Sequence, residues 1–170
     1  MATNLELKCR STSCEELHAR ALRLGAVFQA TLVQTDTYFH VPNGRLKLRE
    51  IHGSHAELIQ YDRPDVAGDR WSTYTRVTVG DPGGMTRALR DALGIRCIVR
   101  KVRALYQYRT ARIHVDEVEG LGSFLEFEVV DTPAAEAEQI MAALRSAFAV
   151  RDEDVIAGSY GEMVESTKVE

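Results

Sequence analysis

The sequence predicts an α+β fold, mainly β, in which eight antiparallel strands close into a barrel with helices packed outside. Two observations carry this expectation. Short segments of alternating polarity recur along the chain, separated by turn residues and interrupted by only three helical patterns. Eight mostly sequential strands in one small domain favour a closed antiparallel barrel. In addition, several of these segments carry ionisable residues on one face and aliphatic ones on the other. With 170 residues, 45% hydrophobic and 27% charged, the chain suits one domain spanning 1–170 with a sizeable core. It shows no internal repeat, low-complexity tract or interdomain linker, and order is expected everywhere except in the C-terminal tail.

The elements follow in order. "NLELKCR" reads as the first strand. In "SCEELHARALRLG", Ser13 and Glu16 have capping-box spacing, Leu17, Ala21 and Leu24 have helical spacing, and Gly25 stands where a helix ends. "FQATLVQTDTYFHV" is rich in β-branched and aromatic residues and turns through "PNG" into "RLKLREI". "AELIQYDR" and, past the "PDVAGD" loop, "WSTYTRVTV" are the next two strands. Pro82 opens a helix that runs to about Leu93 and ends at Gly94. "CIVRKVRALYQYR", "ARIHVDEV" and "SFLEFEVV" complete the eight. A third helix is expected from Pro133 to Phe148, with Thr132 as its cap.

In the stretch from Gly44 to Glu50, Arg45, Lys47 and Arg49 alternate with Leu46 and Leu48. An extended chain sends three cations one way and two leucines the other. A half-buried strand ordinarily turns its leucines to the core and its charges to water. The pattern recurs too often for that: Asn4, Glu6, Lys8 and Arg10 share a face, as do Lys101 and Arg103, then Arg112, His114 and Asp116, then Glu126 and Glu128. Solvated faces carry scattered Ser, Thr, Gln and Asn, whereas these are almost purely ionisable. Turned into a barrel, they give a lumen with eight cations, Lys8, Arg10, Arg45, Lys47, Arg49, Lys101, Arg103 and Arg112, against the four acids Glu6, Asp116, Glu126 and Glu128. Unbalanced charge in a confined space is costly, so such a lumen calls for a polyvalent anion. Arginine forks suit phosphate oxygens, and clustered carboxylates suit a hard divalent ion such as Mg²⁺ that bridges protein and phosphate.

The net charge of −4 excludes the global basic field of a nucleic-acid binder, so no nucleic-acid partner is expected. Cys9, Cys14 and Cys97 are odd in number and lack CxxC spacing, which fits a reducing cytoplasm. The early charges of "MATNLELKCR" do not suit a signal peptide, and no apolar run is long enough to span a membrane.

The order of "LELK", "QTDTYFHVPNGRLKLRE", "LIQYDRPD", "KVR", "RIHVDEVEGLGSFLEFE" and the late "GSY" resembles the CYTH superfamily, the triphosphate tunnel metalloenzymes, and within it class IV adenylyl cyclases. The resemblance covers nearly the whole chain. It implies an eight-stranded tunnel holding a triphosphate with Mg²⁺ or Mn²⁺, and an enzyme that cyclises ATP to cyclic AMP and pyrophosphate. The same resemblance leaves a triphosphatase acting on inorganic, thiamine or nucleoside triphosphate open, together with a non-catalytic polyphosphate or nucleotide sensor. By resemblance Glu6, Glu126 and Glu128 would hold metal, with Asp116 a further ligand. Lys8, Arg45, Lys47, Arg49, Lys101 and Arg103 would grip phosphates, joined by Arg63 and Arg112, and Lys8, Lys101 and Arg103 would be catalytic. The family's ExExK signature stands here as Asn4-Leu5-Glu6-Leu7-Lys8, so one metal or two is left open, as is monomer or homodimer.

His114 reads as a hydrogen-bonding structural residue, and His40, His52 and His55 as solvated residues near strand ends. Cys9, Tyr106 and Tyr108 read as packing. "GDPGG" lacks the Lys-Ser or Lys-Thr of a phosphate-binding loop and reads as a turn into a helix.

Overall fold

The computed structural model describes residues 2–168. All eight strands form: β1 (Ala2–Ser11), β2 (Val27–Phe39), β3 (Arg45–Ile51), β4 (Ala56–Asp62), β5 (Arg70–Val79), β6 (Ile95–Tyr108), β7 (Ala111–Val118) and β8 (Gly122–Val130). They close into a barrel in the order β1-β5-β4-β3-β2-β6-β7-β8, with β8 returning to β1 and every pairing antiparallel. Closure leaves no unpaired edge. Gly44 makes the β2–β3 turn at φ 62°, and a Cβ there would meet Tyr61 O at 2.7 Å, so only glycine fits.

Three helices lie where the sequence places them: α1 (Cys14–Leu24), α2 (Pro82–Leu93) and α3 (Ala134–Ala147). Ser13 caps α1 by accepting from Glu16 N at 3.2 Å, and Gly25 ends it in the left-handed region. Asp81 caps α2 through Gly84 N at 2.9 Å, with Pro82 just inside. Thr132 does not cap α3. Its hydroxyl donates to Val130 O instead, and Pro133 takes the cap position without a side-chain bond. Among the described residues no helix is long and apolar enough to cross a membrane.

The aliphatic faces lie outside. Leu5, Leu7, Ile113, Val115, Leu125 and Phe127 of β1, β7 and β8 pack beneath Leu17 and Ala21 of α1 and Ala137, Ile140, Met141 and Leu144 of α3. Leu48, fully buried, and Leu46 pack with Met85 and Leu89 of α2. The leucines of β3 therefore face the helix layer, and Arg45, Lys47 and Arg49 face the lumen.

Through residue 168 the C-terminal segment is structured, contrary to the expectation for the tail. A fourth helix, α4 (Tyr160–Thr167), follows a 3₁₀ turn at Asp152–Asp154. Ser159 and Glu162 form a complete capping box at its start. Inside one end of the barrel Tyr38, Cys97, Val99, Val118 and Phe124 form an apolar cluster with Tyr160 of α4, and Met163 and Val164 pack against it. A Cβ on Gly161 would lie 3.1 Å from Cys97 Sγ and 3.3 Å from the Tyr38 ring, so the glycine lets α4 seat closely. The lumen is closed at this end.

Because Leu48 packs and Lys47 only lines a cavity, truncating them has unlike costs. Leu48→Ala is expected to lower unfolding free energy by about 2–5 kcal/mol, and Lys47→Met to change it by less than about 1 kcal/mol, since a buried cation among cations adds little. Urea titration of both variants checks this, and equal losses would contradict the assignment of faces.

Candidate active site

Strand register sets the ionic lumen. Asp36 on β2 stands directly opposite Arg49 on β3, and Arg103 on β6 opposite Asp116 on β7. Both pairs are bidentate. Arg49 donates through Nε and Nη2 to the two Asp36 oxygens at 2.8 and 2.7 Å, and Arg103 does the same to Asp116 at 2.7 and 2.7 Å. Asp36 also receives Lys101 Nζ at 3.1 Å and lies 3.3 Å from Lys47 Nζ. One carboxylate thus serves three cations. Burial pushes its pKa up, but Arg49, Lys101 and Lys47 outweigh burial and hold it well below the usual carboxylate range. Burial and the neighbouring cations lower Lys101, and they bring Lys47 down to about 8.

The acids gather on the opposite wall. Glu6 on β1 is the cross-strand partner of Glu128 on β8, Lys8 that of Glu126, and Glu126 that of His114 on β7. Lys8 Nζ lies 3.7 Å from Glu126 Oε1 and 3.7 Å from the centre of the Tyr160 ring, and Arg103 Nη2 donates to Glu126 Oε2 at 3.0 Å. Ser72 donates to Glu6 at 2.5 Å, and Arg63 stands 3.7 Å from the same carboxylate. Burial, with Glu128 and Glu126 nearby, raises the Glu6 pKa.

The arrangement fits a divalent cation. Ligand atoms of His114, Glu126 and Glu128 lie within 4.8 Å of one another. The repulsion felt by Glu6 is what a dication relieves. Asn4, 1% exposed, lines the same cavity with an Oδ1 that accepts no hydrogen bond among the described residues.

The cavity encloses about 590 Å³, including its open mouth, and Glu6, Lys8, Lys47, Arg49, Lys101, Arg103, Glu126 and Glu128 all line it, as does Arg63. Five residues named from the sequence lie elsewhere or do other work. Arg10 has the right parity but is exposed beyond the lumen, 5.5 Å over the Phe124 ring. Arg112 has a side chain 34% exposed and lies 3.7 Å from Glu128. Arg45 is bound by Glu162 of α4 at 2.6 Å and by Asp65, which ties α4 to the barrel. Asp116 commits both oxygens to Arg103 and accepts the Tyr160 hydroxyl at 2.7 Å, so it orients a cation. His114 stands against the carboxylate cluster, with Nδ1 3.6 Å from Glu126 and Nε2 4.0 Å from Glu128. Asp36 and Tyr160 were missed, although Asp36 shares an inward parity with Gln34 and Tyr38, and "SYGE" carries capping-box spacing.

The molecule is thus a closed barrel with a cationic lumen, a carboxylate wall and one sealed end. Residues 2–160 match the CYTH domain model, and the chain belongs to the CYTH family. Solved structures share the fold. Protein PH1012 of Pyrococcus horikoshii OT3 matches with a TM-score of 0.85 at 24% identity over 94% of this chain and 98% of that one. A proposed adenylate cyclase of Vibrio parahaemolyticus gives 0.77 at 19% identity over 95% and 97%. A proposed adenylyl cyclase of Hippeastrum, described as having a dominant triphosphatase activity, gives 0.65 at 18% over 94% and 91%. No curated protein matches the chain.

Asp36 is the residue whose removal most exposes the charge imbalance. Asp36→Asn leaves Arg49, Lys101 and Lys47 facing one another and is expected to cost about 3 kcal/mol of stability. Inorganic triphosphate should restore more stability to the variant than it adds to the parent. Urea midpoints with and without the anion check both parts, and an unchanged midpoint for the variant would contradict them.

Proposed function

We propose that this protein is a divalent-metal-dependent enzyme acting on a triphosphate held in the barrel, and that its reaction is cyclisation of ATP to cyclic AMP and pyrophosphate. One observation carries the reading: Lys8, Lys47, Arg49, Lys101 and Arg103 converge on the same cavity as Glu6, Glu126 and Glu128. A phosphate chain with a divalent ion is the ligand that satisfies both sets.

In this reading Lys47, Lys101 and Arg49 hold the β- and γ-phosphates, with Asp36 fixing the direction of each cation. Arg103, locked by Asp116, and Lys8, seated on the Tyr160 ring, complete the cationic grip on the phosphate chain near Glu126. Glu126, Glu128 and Glu6 would hold Mg²⁺ or Mn²⁺, with His114 within reach, and the ion would supply Lewis-acid stabilisation of charge on phosphate oxygens. The ribose 3′-hydroxyl attacks the α-phosphorus and forms the new P–O bond. The bond from the α-phosphorus to the bridging oxygen breaks, pyrophosphate leaves with its charge neutralised by lysine and arginine, and the hydroxyl proton passes to solvent. The protein's part is positioning and electrostatics. Hydrolysis is the second reading, favoured by the triphosphatase activity described for the Hippeastrum protein, because the same cradle serves when water replaces the hydroxyl.

Incubation with ATP and Mn²⁺ or Mg²⁺ is expected to yield cyclic AMP and pyrophosphate. ADP with orthophosphate, or faster turnover of inorganic triphosphate, would assign the protein to the hydrolases, and binding without turnover to the sensors. Glu126→Gln is expected to abolish turnover while the circular dichroism spectrum stays that of the parent.

Affinity for the anion should depend on pH through Lys47. Its ammonium, lowered to about 8 by burial and Arg49, is charged below that pH and progressively neutral above it. Triphosphate affinity is therefore expected to hold below pH 8 and to fall above it by up to about tenfold per pH unit. Calorimetric titrations from pH 6.5 to about 9.5 on the parent and on Lys47→Met test this, the variant losing that part of the slope.

A further inference from the structure

The helices leave one flank of the barrel bare. Val33 on β2 and Val102 on β6 are directly opposed cross-strand partners on the outer surface, 45% and 42% exposed. They form the floor of a groove of about 850 Å³, open side included, between the β3–β4 turn at His52 and the β7–β8 turn at Gly122. The outer face of β2 continues through Thr31 to Phe28, which is 50% exposed. From Phe28 to Thr35, and from β3 across to β7, the face measures about 25 Å by 20 Å with its side chains. Two such faces together bury about 1,000 Å², the low end for a specific interface. An uncovered apolar strip of this size marks a contact surface.

Register decides which partner fits. His52 N donates to Val33 O, Val33 pairs with Val102, and Val102 pairs with Glu117, so one row across four strands reads His52, Val33, Val102, Glu117. Both ends of the row face outward: His52 Nε2 lies 3.0 Å from the Thr35 hydroxyl, and Glu117 is exposed. The row is basic at one end, acidic at the other and apolar between. Reversed and laid face to face on itself, it sets imidazole against carboxylate twice and valine against valine twice. In the next row Arg100 pairs with Thr35, which pairs with Glu50 on β3. The same reversal carries Arg100 onto Thr35 of the second copy, beside its Glu50, and so offsets the approach of Glu50 to Glu119 in the β7–β8 turn. Neither Arg100 nor Glu117 has an ion-pair partner among the described residues. A uniformly acidic or basic partner would meet like charge at one end of the row.

We infer that the Val33–Val102 face binds a second copy of this chain, in an isologous dimer whose two-fold axis runs along the strands between β2 and β6. A closed two-fold assembly needs a self-complementary patch, and the row from His52 to Glu117 is one. The valines make the dry centre of two aligned sheets, and the imidazole–carboxylate pairs make the polar rim. The small area makes the association depend on concentration rather than permanent.

Sedimentation equilibrium of the full chain, from micromolar to submillimolar concentration, tests the inference. The parent is expected to show a monomer–dimer equilibrium. Val102→Asp puts a carboxylate at the centre of the contact and should leave only monomer, with the circular dichroism spectrum of the parent because Val102 is already exposed. His52→Glu and Glu117→Arg each bring like charges together, and each should weaken the dimer by at least about tenfold. Mixed with one another, these two variants should associate again, since one copy is then acidic at both ends of the row and the other basic at both. A parent at monomer mass throughout would leave the face to a different partner and overturn the inference. So would a dimer that survives Val102→Asp, or charge variants that fail to associate when mixed.

Discussion

Two buried arginine–aspartate forks, Arg49 to Asp36 and Arg103 to Asp116, make the charged interior of this barrel tolerable. Burying an arginine is costly unless its donors are met, and a bidentate carboxylate meets two at once while fixing the plane of the guanidinium. Each fork is a directly opposed cross-strand pair, so the barrel's own hydrogen-bond register aligns it. Compensation stays incomplete by construction. Asp36 answers Arg49, Lys101 and Lys47 with a single negative charge, and under the proposed function the triphosphate neutralises the remainder.

With the charges inside, helices cover the aliphatic outer faces of β1, β3, β7 and β8, while Val33, Val77 and Val102 on β2, β5 and β6 stay exposed. α1 and α3 cover β1, β7 and β8, and α2 covers β3 through Met85 and Leu89. The outer core thus carries the stability and leaves the lumen free to be polar. Tyr160 links the sealed end to the ionic lumen, since its ring packs in the inner apolar cluster and beneath Lys8 while its hydroxyl reaches Asp116.

Much of this was legible in the sequence because strand alternation is local. Arg45, Lys47 and Arg49 against Leu46 and Leu48 declare two faces, and the turn residues between segments locate the strands. What escaped depends on position along the barrel or on register. Arg10 has the parity of Lys8 but falls past the end of the lumen, which periodicity does not measure. Asp36 sits among threonines and aromatics in "QTDTYF", and its importance appears only when β2 meets β3 and β6. The eight-residue α4 is too short for a strong periodic signal, so its capping box at Ser159 and Glu162 was the one available sign.

The seal that α4 and its apolar cluster place over one end turns the barrel into a cul-de-sac. Traffic then uses a single door. A group lodged on the floor near Tyr160 can depart only after whatever stands above it has cleared the mouth, so exchange is ordered, first in and last out. A long linear polymer cannot be threaded through, and any length beyond the depth of the cavity stays outside. The architecture measures the ends of chains and is blind to their middles.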